Sequence, residues 1–260
     1  MRIILYRYHN NVDYCIDRLK MIKKYNPDIL IYGLYGGEEK HYADFEKDLE
    51  CFLDGNYCIK NKSQFWKWKN SDLAYRLWYK DYGYKLSFDS LIVLEWDLIM
   101  FDSLDNIYKN IKEEQVGLTG LVPLRSIEKE WFWTRDPEQR SYWLELLTLV
   151  KNQFGFEGEP YGALCPGVSL PRKFLEAYTV IDPSELCHDE LRLPLYAQAL
   201  GFELVDTGFY KKWFSRKEWK YFNCNNKSIT LKIIKRELKK DNGRRTFHPF
   251  RVLLSEAGFL

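Results

Sequence analysis

The chain has 260 residues, 46% hydrophobic and 29% charged, with a formal net charge of +2 from 39 basic and 37 acidic side chains. That balance excludes a disordered chain and gives no global charge argument for nucleic acid, so no nucleic-acid partner is expected. Six scattered cysteines form no C-x-x-C pair and read as reduced thiols, and the apolar run near the N-terminus is too short for a signal peptide or a membrane span, so a cytoplasmic location is expected.

Residues 2–6 (RIILY) predict a first strand, with Tyr8-His9-Asn10-Asn11 as the loop after it. Asp13 or the asparagines cap a helix over 13–25, and Asn26-Pro27 ends it. Residues 28–34 (DILIYGL) are a second buried strand with Gly36-Gly37 as its exit. Strand, helix and strand in this order begin a right-handed parallel sheet. A helix over 42–53, a short strand at 57–59 and a helix over 71–82 follow, with Leu73, Leu77 and Trp78 near one face of the last.

The stretch 89–102 (DSLIVLEWDLIMFD) organises the chain. Leu91-Ile92-Val93-Leu94 reads as a central strand buried on both faces, and it stops at Glu95-Trp96-Asp97. Ligands of open α/β sheets bind at the carboxyl ends of such strands. Side chains two apart on extended backbone point the same way, so Glu95 and Asp97 can converge on one hard cation such as Mg²⁺ or Mn²⁺. The alternative is a strand end whose acids face water or pair with Lys or Arg.

Asp102-Ser103 offers a cap to a helix with Leu104, Ile107, Tyr108 and Ile111, and 116–122 (VGLTGLV) is another strand. The charged and aromatic 128–136 (EKEWFWTRD) reads as a surface loop, and 141–151 as an amphipathic helix. Residues 155–167 (GFEGEPYGALCPG) read as a Gly/Pro loop, and 171–178 as a short helix. Cys187-His188-Asp189-Glu190 opens a helix closed by Gly201, with Pro194 in its first turn, and 202–205 is a last strand. The tail from Tyr210 is aromatic and basic. It admits three readings: a solvated face over the sheet edge, a peripheral patch for anionic lipid, or arginines (Arg244, Arg245, Arg251) that hold a diphosphate.

The order of these features resembles the nucleotide-sugar glycosyltransferases of the GT-A fold: a βαβ half ending in an acidic triplet, a Gly/Pro loop, an acid opening a later helix, and a late His-Pro. The resemblance covers roughly residues 1–210, with His248 outlying. It implies an α/β, GT-A-like (Rossmann-like) fold with a mixed, mainly parallel central sheet flanked by helices. Residues 1–210 would form the nucleotide-sugar binding and catalytic domain, and 211–260 an extension packing on it. The family's D-x-D motif, which binds a divalent cation and the donor diphosphate, stands here as Glu95-Trp96-Asp97.

The resemblance further implies Asp97 and His248 as metal ligands for Mn²⁺ or Mg²⁺, and a UDP- or GDP-sugar donor. Glu190, or Asp189, would be the catalytic base facing a glycan or glycolipid acceptor. Tyr8, Asn10 and Tyr35 would hold the nucleoside base, Asn70 and Asp72 the base or ribose, and Glu95 the ribose or a metal-bound water. Gly162 and Gly167 would lie in the segment facing donor sugar and acceptor. If the basic, aromatic tail is a lipid patch, the chain would sit peripherally at the inner membrane face. Two other readings stay open. One is a nucleotidyltransferase, although no G-x-G-type loop follows the first strand. The other is a non-catalytic nucleotide- or carbohydrate-binding module, which the glutamate at 95 keeps in play.

Overall fold

A computed structural model describes residues 1–9, 11–225 and 227–259. Asn10, one of the expected base-holding residues, lies outside the described residues. Strand β1 (Arg2–Tyr8) is buried beyond its first residue, as its aliphatic run requires. Helix α1 (Val12–Tyr25) follows, with the Asn11 side chain accepting the Asp13 N–H at 2.7 Å, and leads to β2 (Ile31–Tyr35). Next come α2 (Tyr42–Leu49), β3 (Gly55–Cys58), α3 (Gln64–Lys69) and α4 (Ser71–Asp81). The central β4 (Ser90–Glu95) ends at the acidic triplet, and the two-residue β5 (Ile99–Met100) follows a turn. The chain continues through α5 (Leu104–Ile107), β6 (Val116–Pro123), α6 (Phe132–Arg135), α7 (Pro137–Phe154), β7 (Tyr161–Pro171), α8 (Arg172–Val180) and α9 (Asp189–Ala199). It ends with β8 (Leu204–Asp206), α10 (Arg216–Trp219), α11 (Leu231–Leu238) and β9 (Thr246–Phe247).

Seven strands form one sheet in the order β3-β2-β1-β4-β7-β6-β8, and β5 pairs with β9 beside it. Only β7 runs against the rest of the large sheet. Alternation along β1 and β4 sends Ile3, Leu5, Leu91 and Val93 to one core and Ile4, Tyr6, Ile92 and Leu94 to the other. The sheet is therefore covered by helices on both faces, as a mainly parallel sheet must be. A third cluster joins Ile99 and Phe101 to Ile234, Phe247 and Phe250 of the C-terminal segment. Among the described residues no helix is long and apolar enough to cross a membrane.

Three readings of the sequence need correction. The Gly/Pro run is largely strand: β7 begins at Tyr161 and is inserted between β4 and β6. Its glycines answer packing and backbone needs inside a sheet. A Cβ at Gly162 would stand 2.7 Å from the Trp131 ring, and Gly167 has φ +77° with Phe209 pressed against it. The presumed surface loop 128–136 contains α6 and buries Trp131, because its aromatics pack against the core. Pro194 lies inside α9 rather than in its first turn.

Candidate metal centre and its cleft

The carboxyl ends of β1 and β4 lie side by side, with Arg7 opposite Glu95. Arg7 is buried. Its guanidinium donates to Glu95 Oε1 at 2.9 Å, to Ser71 Oγ at 2.7 Å and to the Lys67 carbonyl at 2.7 Å. Burial pulls its pKa down, but Tyr75, Glu95 and Asp189 more than offset this and hold the charge on. Glu95 thus has Oε1 tied to Arg7, and its Oε2 is left for a late residue, His248.

That turn and the β5–β9 pair bring the far C-terminus to the triplet. Ile99 pairs with Phe247, and the Phe250 N–H donates to the Asp97 carbonyl at 2.8 Å. His248, just after β9, is thereby set against both acids. Its Nε2 lies 3.3 Å from Asp97 Oδ1 and 3.7 Å from Glu95 Oε2. Its Nδ1 lies 2.7 Å from the Asn223 carbonyl. A carbonyl only accepts, so Nδ1 carries the proton and the Nε2 lone pair is left for a cation in the neutral ring. Arg251 donates from Nε to Asp97 Oδ2 at 3.0 Å, which leaves Oδ1 facing His248.

One ligand atom each from Glu95, Asp97 and His248 lies within 4.8 Å of the others. Two carboxylate oxygens and an imidazole nitrogen are the donor set of an Mg²⁺- or Mn²⁺-type site, so the residues fit the group the resemblance implies. The electrostatics agree. Burial alone would raise Asp97, but His248 and Arg251 bring it down to about 2. Burial alone would lower His248, but Asp97 and Glu95 raise it to about 10. The spot between them favours positive charge.

The opposite wall is the start of α9. Ser71 N–H donates to Asp189 Oδ2 at 3.1 Å, and His188 Nδ1 lies 2.7 Å from Asp189 Oδ1. Burial opposes the charge on Asp189, but His188, Ser71 and Arg7 overcome it and hold this acid well below the ordinary range. Glu190 differs. Burial raises its pKa to about 7, although Trp133 Nε1 donates to its Oε2 at 2.8 Å. Two neighbouring acids are thus driven apart, one firmly ionised and one poised to exchange a proton near neutrality. The Trp133 ring stacks on His188 at 4.2 Å, and Trp68 meets the same imidazole edge-on at 5.0 Å. The two walls enclose a cavity of about 520 Å³ that also takes in Trp96, Trp131, Tyr210, Trp213 and Trp219.

Asp97, His248, Glu95, Asp189 and Glu190 all line this one cleft. Other expected site residues lie elsewhere. Asp72 is fully buried, with Arg192 donating to both of its oxygens (2.8 and 2.5 Å) and Tyr178 OH at 2.6 Å, so it serves an internal ion pair and not a ribose. Asn70 is buried and donates to the Trp66 carbonyl. Tyr8 is buried, hydrogen-bonded to Asn56 and packed on Tyr6, Tyr35 and Phe45, which leaves no open ring face for a base. Gly162 and Gly167 serve the packing and backbone turn of β7. Tyr35 is likewise buried and packed on Tyr8, Tyr42 and Phe45, so it offers no open face for stacking, although it borders a smaller hollow with His9, Glu38 and His41; His9 also lines the main cleft. Of the late arginines only Arg251 reaches the cleft. Arg244 pairs with Glu218, and Arg245 donates to carbonyls at the end of α11.

The sequence reading missed Arg7 and Trp133; for His188 it weighed orienting a neighbouring acid against plain polarity at a helix start, and the ring does lie against Asp189. Arg7 had a usable signal, since a lone arginine inside an otherwise buried strand must find a partner. Trp133 gave none, because its stacking on His188 and its bond to Glu190 depend on how α6 folds over α9.

No protein-family model and no curated protein matches the sequence. Solved structures do resemble it in backbone. A galactosyltransferase LgtC, in complex with donor and acceptor sugar analogs, shares 14% identity over 80% of this chain and 74% of its own, with a TM-score of 0.44. The mouse xyloside xylosyltransferase 1 shares 11% identity over 80% and 86%, with a TM-score of 0.40. A cytidylyltransferase from Leptospira borgpetersenii shares 11% identity over 79% and 74%, with a TM-score of 0.42. The fold assignment itself stands on the strand order and register given above.

Proposed function

We propose that the chain is a divalent-cation-dependent glycosyltransferase that moves a sugar from a UDP- or GDP-sugar to a hydroxyl of a glycan or glycoconjugate. The observation that carries this reading is the convergence of Glu95, Asp97 and His248 Nε2 in the same cleft as Glu190, a carboxyl held near neutrality.

Asp97 and His248 would hold the cation, with Glu95 beside them, and when bound it supplies Lewis-acid stabilisation of the departing diphosphate. Arg7 holds Glu95 in place, and Arg251 does the same for Asp97. The nucleoside occupies the hollow beside Tyr35 and His9. Sugar faces stack on the tryptophans of the walls. Glu190, ionised above its pKa and steered by the Trp133 N–H, takes the proton of the acceptor hydroxyl. That oxygen forms the new bond to the anomeric carbon, and the electron pair of the old carbon–oxygen bond leaves with the diphosphate. Asp189, already ionised and bound to Ser71 and His188, holds the wall in place.

The test is nucleotide release from a panel of nucleotide sugars with Mn²⁺, in wild type and Glu190→Gln. The proposal expects turnover of at least one donor. Loss of the base should cost roughly 10²–10⁴ in kcat, with donor affinity unchanged. Tight nucleotide binding without release from any donor would make the chain a binding module instead.

A further inference from the structure

Apart from Tyr84, the exposed aromatic side chains of the described residues are gathered in one place. Among the described residues the exposed phenylalanines and tryptophans are Phe65, Trp68, Phe132, Phe214 and Trp219. Trp68, Phe132, Phe214 and Trp219 line the cleft, and Phe65 lies against Trp68 with ring centroids 5.6 Å apart. A ring of solvent-facing aromatics therefore surrounds the opening of one cavity, drawn from α3, α6 and the segment around α10. Single exposed rings need no explanation, but a set gathered on one rim marks a surface that meets something apolar.

The same rim is basic on one side. Lys211, Lys212, Arg216, Lys217 and Lys220 are all exposed, and none is in a salt bridge among the described residues. The acid among them, Glu218, is taken up by Arg244 at 2.6 Å, so it does not neutralise the patch. Phe214 and Trp219 are interleaved with these cations. Tryptophan and phenylalanine set among lysines and arginines match the boundary of an anionic bilayer, where rings enter the headgroup region and cations meet lipid phosphate.

We propose that this face docks on an anionic phospholipid bilayer, with the cleft mouth turned to the membrane. Charge complementarity and the exposed aromatic rim argue for this occupant over a soluble polyanion, which would engage the cations and leave the rings in water. Resting on the transferase reading, the proposal also assigns the acceptor class: a glycan anchored to lipid, presented where the mouth meets the headgroups.

The experiment is flotation of the full chain with vesicles of phosphatidylcholine alone, or with one-third phosphatidylglycerol, at low and high salt. Binding is expected to the anionic vesicles only, and salt should weaken it. Lys212→Gln with Lys217→Gln should reduce the affinity about 25-fold, at about fivefold for each cation removed, while nucleotide release in solution stays at the wild-type rate. Phe214→Ser should weaken vesicle binding without changing the far-ultraviolet circular dichroism. No flotation with anionic vesicles, or equal flotation of the double variant, overturns the proposal, as does retention on a soluble polyanion without vesicle binding. The vesicle assay needs no turnover, so membrane docking can fail with the transferase intact, and the reverse.

Discussion

Glu190 and Asp189 are adjacent in sequence and opposite in behaviour, and the difference comes from what surrounds each carboxyl. Asp189 faces His188, Ser71 and Arg7, whereas Glu190 is buried with a single indole donor. Because burial raises Glu190 from 4.5 to about 7, the fold favours its protonated form. The stability this contributes is fully present below pH 4.5 and is lost as pH rises through about 7, a change on the order of 3 kcal/mol. Glu190→Gln stays neutral throughout. It should match wild type in urea denaturation at pH 4.5 and exceed it at pH 8; equal stability at both would disprove the buried, proton-holding carboxyl. Activity should run the other way in wild type, rising with pH through about 7 as the base ionises. Asp72 makes a different prediction. With Arg192 and Tyr178 closed around it, Asp72→Ala strands a buried guanidinium and should cost roughly 3–5 kcal/mol in chemical denaturation, with no change in donor KM for the molecules that fold. The sequence showed where the acids were but not which were spoken for. An aspartate near a helix start looks the same whether it binds a ligand or an arginine 120 residues away.

At the scale of elements, the candidate metal centre depends on two residues of β5 pairing with two of β9. That short ladder fixes the distance from His248 to Asp97, and Phe247 anchors it in the third core cluster. Phe247→Ala should lose about 3–5 kcal/mol of stability. It should also weaken Mn²⁺ binding, although it touches no ligand atom; intact affinity would show that His248 is positioned by something else. Strands with continuous aliphatic runs were legible in advance, because burial on both faces leaves a composition that little else produces. The strand β7 was not. Its glycines and prolines carry the signature of a loop, and only the neighbouring Trp131 and Phe209 reveal that small residues are needed inside a sheet. Gly167→Ala, with φ +77° and a ring at 2.8 Å, should destabilise by about 1–3 kcal/mol, read as a lower urea midpoint.

At the scale of the whole molecule, a near-neutral chain concentrates its opposing charges. Glu95, Asp97, Asp189 and Glu190 gather inside the cleft, and lysines outside any salt bridge among the described residues gather on the rim. The acidic triplet and the late histidine stood out as features of the sequence, with 151 residues from Asp97 to His248. Their union, and the aromatic enclosure around them, is a product of the fold. The most direct measurement is titration calorimetry of UDP and GDP with and without Mn²⁺, in wild type, Asp97→Asn and Glu190→Gln. The account predicts Mn²⁺-dependent binding of one nucleotide that weakens about tenfold or more in Asp97→Asn and is unchanged in Glu190→Gln. Binding that ignores Mn²⁺, or that Asp97→Asn leaves intact, would contradict it.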